Sequence, residues 1–383
     1  MYPKIYLAMD NCVFYKRWTE PDEWAERIRN LGIRFIEASA DTELDPLYMG
    51  QAYFYDWVEK VKNAEEKYDV KVSSLFSGHG TYTTLGLTHP DVRVRRNMVE
   101  NWFFPMIRAA GELKCNMGFF AHAIKHELLQ SCDTYRQYVE ILSDELSELN
   151  QYAAMTDCGT LGIEQMYTPH QYPWRQKDIR ELLQIVTQKS GRNFYFTEDV
   201  GHHQSKFLRP AVEQLHSCSR LGDLWLGTDR AYELADTFGK AALREIEEEM
   251  EHNPQLFAEE QDGDCYTTIR QLGCYSPIIH LQQTNGMQST HLPFTSKENE
   301  KGIIDAGKLL RALKESYELP QEPGYPEKSP EIYLTLELFS GTTSIMHDVL
   351  DNYAESISYW RKFIPQDGML LTDLLNKIDF EKS

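Results

Sequence analysis

Eight short β-rich apolar runs, alternating with longer amphipathic segments along the whole chain, predict an α/β fold: a single (β/α)8 TIM barrel over residues 1–383. Two further observations favour closure over an open doubly wound sheet, the nearest alternative. No glycine-rich phosphate loop opens the first helix, and the lone G-H-G-T at Gly78 is too weak a motif to replace one. Acidic or imidazole side chains also finish the last four runs, at the strand ends that a barrel gathers onto one face. Length alone does not demand a second domain, because α/β barrels routinely run long as one unit.

The elements follow in order. Lys4 to Met9 reads as strand one. Thr19-Glu-Pro-Asp then supplies an N-cap and a first-turn proline for a helix over Glu23 to Leu31, which Gly32 closes. Ile33 to Ala38 is strand two, and a charged helix around Trp57 to Tyr68 leads to strand three, Lys71 to Phe76. A helix from Val92 to Leu113 precedes strand four, Met117 to Ala121. The amphipathic segment Thr134 to Ala154 leads to strand five, Thr160 to Met166, and Asp178 to Gln188 leads to strand six, Phe194 to Asp199. An insertion follows, with Pro210 to Ser217, the apolar run Leu224 to Leu226 and an acidic helix near Ala241 to His252; it is expected over the barrel mouth. Strand seven is Pro277 to Leu281. The proline-rich connection Pro320 to Pro330 delivers strand eight, Ile332 to Phe339, and a C-terminal helical extension starts near Asp348 to Phe363. There is no short-period repeat and no low-complexity tract.

With 42% hydrophobic residues the chain has enough apolar side chains for a sizeable core. The start MYPKIYLAMDN shows no basic region followed by an apolar run, and no stretch approaches the apolar length that spans a bilayer, so a soluble cytoplasmic protein is expected. The seven cysteines are scattered without a C-x-x-C pair, which fits reduced thiols and argues against a structural zinc module. A formal charge of -20 repels polyanions and disfavours nucleic acid as a partner. A sugar or sugar phosphate remains admissible, since it needs only a small local site; a homo-oligomer stays open.

Four polar residues end apolar strands on the expected active-site face: Glu164, Asp199, His280 and Glu337. Each has a bland alternative. Either glutamate alone is more often an inward carboxylate paired with Arg or Lys, Asp199 alone could cap a helix, and a lone histidine is more often a hydrogen-bonded core residue. Their appearance on four successive strands is the stronger signal. Three carboxylates and one imidazole suit one divalent ion, Mn2+ first, with Mg2+, Co2+ or Zn2+ as alternatives. Carboxylates among apolar strand residues also need such a partner, because burying an unpaired charge is costly.

In that order, Glu164, the Asp199-Val-Gly-His202 motif, His280 and Glu337 resemble the xylose-isomerase-like barrel family of sugar isomerases and epimerases. A narrower resemblance, to the D-erythrulose 1-phosphate 3-epimerase branch, rests on D-N-C around Asn11, E-A-S-A-D-T-E-L-D-P-L-Y-M-G from Glu37, S-G-H-G-T-Y from Ser77 and E-Q-M-Y-T-P-H-Q from Glu164. The resemblance implies that the four strand-end residues hold a metal and that His202 contacts a substrate oxygen. A ketose would then chelate the ion through its carbonyl and neighbouring hydroxyl, and the cation would stabilise an enediolate. Glu164 and Glu337, approaching from opposite sides, would form the acid/base pair that inverts the intervening carbon.

Departures from the family are also visible. Leu281-Gln-Gln-Thr-Asn lacks the paired aspartates of a two-metal hydride-shift isomerase, which favours one metal and proton transfer. His170 and Gly286 stand where epimerases of free sugars carry Glu and Arg, so recognition of the substrate end is expected to differ. Ser340-Gly-Thr342-Thr343 either cradles a phosphate or starts an N-capped helix. Lys206 (with Arg209), His79 and His122 are further candidates for substrate contact, and Tyr167 and Trp174 for an apolar wall, each against a plain solvated or packing role. A metal-dependent dehydratase or lyase is the main rival on this fold. An endonuclease IV-like enzyme is disfavoured by charge, and a non-catalytic barrel by the intact ligand set.

Overall fold

A computed structural model of the protein describes residues 2–78, 86–121, 123–203, 227–286 and 288–381. Eight strands run parallel: β1 Lys4–Asp10, β2 Phe35–Ser39, β3 Lys71–Ser77, β4 Asn116–Phe119, β5 Leu161–Glu164, β6 Tyr195–Asp199, β7 Ile278–Leu281 and β8 Glu331–Leu336. Each pairs with the next, and β8 returns to β1 with Lys4 opposite Glu331, so the predicted (β/α)8 barrel is closed. Burial on both faces explains why the strands read as short apolar runs: β5, Leu-Gly-Ile-Glu, is buried at every residue.

Amphipathic helices cover the barrel. The first, Pro21–Asn30, takes Glu20 rather than Thr19 as its N-cap, because Glu20 and Glu23 bind each other's backbone in a capping box. Gly32 leaves it at φ +89°. Gln51–Tyr68 follows β2. The path expected as one helix from Val92 to Leu113 holds Val92–Met98, a π-helical turn Val99–Phe103 and Phe104–Leu113. The widened turn stands just ahead of Pro105, which has no amide hydrogen to give the preceding turn. Cys132–Ala153, Gln176–Ser190 and Met346–Arg361 occupy their predicted places to within a few residues, and Ala306–Glu318, between β7 and β8, is a helix the sequence reading did not place.

The described part of the insertion holds the acidic helix, at Leu243–His252, and an unpredicted one, Asp229–Phe238. Pro210 to Ser217 and Leu224 to Leu226 lie outside the described residues. The end of the insertion is tied to loops at the C-terminal ends of the strands: Gln255 donates to the Leu129 carbonyl, Asp262 accepts from the Gln176 amide, and the Asp262 carbonyl meets His203. At the opposite end the extension adds a two-residue strand, β9 Met369–Leu370, antiparallel to the start of β1, and the helix Leu371–Glu381. Neither β9 nor this last helix was expected.

One glycine shapes the interior beneath the site. A Cβ at Gly118 on β4 would meet the Phe76 ring at 2.4 Å, and that ring packs edge-on against His280 with centroids 4.4 Å apart. Gly118→Ala should therefore overpack the barrel and cost about 1–3 kcal/mol of unfolding free energy. Urea unfolding of the variant beside the parent measures this, and an unchanged midpoint would show that the ring has room to move.

Candidate metal centre

Strand register brings the four predicted residues together. Glu164 and Asp199 are the last residues of β5 and β6, His280 is the third of β7, and Glu337 follows the end of β8. Each is buried, and each offers one ligand atom within 4.8 Å of the other three. His280 is the hub. Its Nδ1 lies 3.1 Å from Glu164 Oε1 and 3.3 Å from Glu337 Oε2, while its Nε2 lies 2.9 Å from Glu37 Oε1. Asp199 is held from the side: Gly201 donates its amide to Oδ1 at 2.7 Å, and Gln282 Nε2 spans both oxygens at 2.9 and 3.0 Å. The glycine of the D-V-G-H motif is required by that approach, since a Cβ there would lie 2.2 Å from the pinned Gln282 amide.

Electrostatics show what the set lacks. Burial pushes Glu164 up to about 8, against the pull of His280. Burial works the same way on Glu337, but the His280 and His291 imidazoles outweigh it and hold this carboxyl well below the usual range. His280 is raised, against its burial, by Glu337, Glu37 and Glu164. In the bare protein an imidazolium thus supplies the positive charge that these carboxylates demand. Among the described residues no lysine or arginine forms an ion pair with the four, and Glu337 Oε2 is buried without a hydrogen bond. Three carboxylates, one imidazole and an unsatisfied inward oxygen fit a hard or borderline divalent cation.

The other predicted residues divide. His202 joins the site: its Nδ1 donates to the Gln165 carbonyl at 2.8 Å, which leaves Nε2 as an acceptor 3.4 Å from Asp199 Oδ2. Burial lowers its pKa to about 4, so the ring is neutral. Tyr167 lies against it, ring centroids 4.9 Å apart, whereas Trp174 is fully buried beneath Arg175 as packing. Ser340 and Thr342 sit in the loop after β8; the next helix starts only at Met346, with Ile345 as its cap, so neither hydroxyl caps it. Among the described residues no hydrogen bond links either to Glu164, Asp199, His280 or Glu337. His79, His122, Lys206 and Arg209 lie outside the described residues.

Four contributors were not anticipated. Asp10 ends β1; burial and the nearby charges of Glu37 and Glu337 push it up to about 7. Glu37 lies on β2 and obeys the same rule of a carboxylate on an apolar strand. Gln282 and His291 come from the irregular chain after β7. His291 holds a left-handed backbone at φ +45°, stacks on Phe339 with centroids 3.9 Å apart, and points Nδ1 at Glu337 Oε2, 3.3 Å away. Its strained backbone is secured by Gln282, whose Oε1 accepts the His291 amide at 2.7 Å.

A buried brace stands behind the first two strands. Glu43 accepts hydrogen bonds from Asn11 Nδ2, from Trp24 Nε1 at 3.2 Å and from Trp57 Nε1 at 2.9 Å, and Asn11 in turn accepts the Ser39 amide beside Asp10 and Glu37.

The closed (β/α)8 barrel with an acidic, histidine-centred mouth agrees with the resemblance to xylose-isomerase-like barrels read from the sequence. Among characterised proteins, the chain is 22% identical over 365 residues to D-erythrulose 1-phosphate 3-epimerase of Brucella abortus (strain 2308), covering 94% of this chain and 96% of that protein. Among solved structures, a candidate xylose isomerase from Rhodospirillum rubrum ATCC 11170 superposes with a TM-score of 0.66 at 16% identity, over 94% of this chain and 99% of that one. D-psicose 3-epimerase with D-tagatose from Clostridium cellulolyticum H10 superposes with a TM-score of 0.51 at 12% identity, over 99% and 98%. These superpositions establish the shared fold. No family model matches the chain. Among the described residues no helix is long and apolar enough to cross a membrane.

Glu43 yields a pH test away from the ligand set. Burial pushes it up to about 8 from an ordinary 4.5, with the three donors pulling the other way. Between these values the unfolded chain binds fewer protons than the folded one, so this group makes stability fall as pH rises through the window. Glu43→Gln has no such proton, and its unfolding free energy should fall less steeply from about pH 5 to about pH 9. Parallel curves for variant and parent would mean that Glu43 stays ionised throughout.

Proposed function

We propose that the protein is a divalent-metal-dependent epimerase that inverts C3 of a small ketose or ketose phosphate such as D-erythrulose 1-phosphate, working as one barrel domain. The observation that carries this reading is the gathering of Glu164, Asp199, His280 and Glu337 within 4.8 Å at the C-terminal ends of β5 to β8. These four would hold the ion. A divalent cation there, Mn2+ first and Mg2+, Co2+ or Zn2+ as alternatives, supplies Lewis acidity toward the carbonyl and hydroxyl oxygens of a ketose.

The remaining chemistry belongs to the chain. Glu164 and Glu337 reach the centre from strands separated by β6 and β7, and each turns one oxygen toward His280 Nδ1. The second oxygen of each is left for proton transfer. One glutamate takes the C3 proton while the electron pair passes toward the neighbouring carbonyl, and the other returns a proton to the opposite face; no hydride moves and no oxidant is needed. His202, with Nδ1 committed to a backbone carbonyl, offers Nε2 as acceptor for a substrate hydroxyl. Tyr167 beside it supports an apolar edge to the mouth. His79, His122, Lys206, Ser340 and Thr342 remain the candidates for the far end of the substrate, including a phosphate.

The test is incubation of the Mn2+-loaded protein in D2O with a panel of ketoses and ketose phosphates, following C3 deuteration and product configuration. One deuterium at C3 with inversion is expected, and Glu164→Gln or Glu337→Gln should lower kcat by about 10²-fold or more. Loss of water would make the protein a dehydratase, and isomerisation with every substrate hydrogen retained would make it a hydride-shift enzyme; either outcome sinks the epimerase reading.

A further inference from the structure

Glu37 is fully buried, carries no lysine or arginine partner among the described residues, and is not one of the four ligand residues. Such a carboxylate is costly unless its position does something. It sits on β2, separated from β7 by β8 and β1, and its side chain crosses the barrel interior to His280. Both of its oxygens are committed: Oε1 takes the His280 Nε2–H at 2.9 Å, and Oε2 takes the Ser74 hydroxyl hydrogen from β3 at 2.7 Å. The Phe76 ring closes the remaining side of the imidazole.

We infer that Glu37 is a positioning residue for the metal centre: it keeps a proton of His280 on Nε2, so that Nδ1 is the nitrogen that gives up its proton and turns its lone pair to an ion in the space between Glu164 and Glu337. An imidazole can present either nitrogen, and which one is free is set by the hydrogen bond that the other makes. Nothing else here makes that choice. Glu164 and Glu337 are acceptors and both lie on the Nδ1 side, at 3.1 and 3.3 Å; among the described residues Glu37 alone bonds Nε2. Ser74 completes the device by fixing Oε2, so that the carboxylate cannot turn away. Fixing the ring before the ion arrives also spares the site the entropy of ordering it. The inference rests on the metal reading above and adds a residue from the other half of the barrel to it.

The test needs no substrate. Full-length wild type, Glu37→Leu, Glu37→Gln and Ser74→Ala are titrated with Mn2+ by calorimetry, and histidine-labelled, Zn2+-loaded samples are examined by 15N NMR for the His280 Nε2–H. Wild type should take up one equivalent and show a slowly exchanging Nε2–H. Glu37→Leu should bind about 10–100-fold more weakly and lose that signal. Glu37→Gln keeps an acceptor oxygen for His280 and an amide for Ser74, so it should stay within about threefold of wild type. Ser74→Ala leaves Glu37 in place and should weaken binding measurably, which decides the matter if Glu37→Leu fails to fold. Binding by Glu37→Leu and Ser74→Ala within about threefold of wild type, with the Nε2–H unchanged, overturns this inference alone. A wild type that takes up no Mn2+ overturns the metal reading, and this inference with it.

Discussion

One imidazole, placed where carboxylates from three strands converge, is the constraint on which the rest depends. His280 is fully buried, and its two nitrogens are divided between Glu37 on one side and Glu164 with Glu337 on the other. Without a positive charge that assembly would repel itself, because the carboxylates are buried and the hydrogen bonds that Asp199 and Glu37 accept from neutral donors do not cancel their charge. The barrel accepts this cost because its own geometry provides the answer. Parallel strands closed in a ring deliver their C-terminal residues to one small region, where a single cation, or a proton in its absence, neutralises several chains of sequence at once.

The walls of the site are arranged to keep it in place. Gln282 is bonded to Asp199, Ser289 and the His291 amide, so the left-handed His291 is tied to the same carboxylate that the D-V-G-H turn presents. Glu43 does a comparable task behind β1 and β2, where two indoles and Asn11 converge on it. Polar groups buried this deeply specify a position only when their partners are complete, as they are for the Gln282 amide and for both oxygens of Glu43.

Much of this was legible because a barrel writes its active site at strand ends. Glu164, Asp199, His280 and Glu337 each interrupt an apolar run just where the run stops, so periodicity and position alone single them out. Asp10 and Glu37 carry the same signature, in A-M-D-N and F-I-E-A-S, yet both precede the acidic and aromatic helices of the first half and were weighed only as parts of longer motifs. His291 and Gln282 left no such trace: they belong to irregular chain, where no period marks which side chain turns inward, and their roles exist only once Phe339 and Asp199 are beside them. The capping shift from Thr19 to Glu20 has a local cause, the reciprocal bond with Glu23, which outweighs the usual preference for a hydroxyl.

The short strand β9 has a consequence for how the chain comes together. Lys4 lies opposite both Glu331 of β8 and Leu370 of β9, so the first strand acquires these neighbours only after more than three hundred further residues have been made. Until then one flank of β1 offers unpaired backbone groups to whatever passes, and ring closure is a contact of very long sequence separation, slow on topological grounds. The tail that follows Met346–Arg361 adds to this from outside the ring: β9 pairs with Lys4 and Ile5, so the entry of β1 is covered by chain that emerges after the strand that closes the barrel.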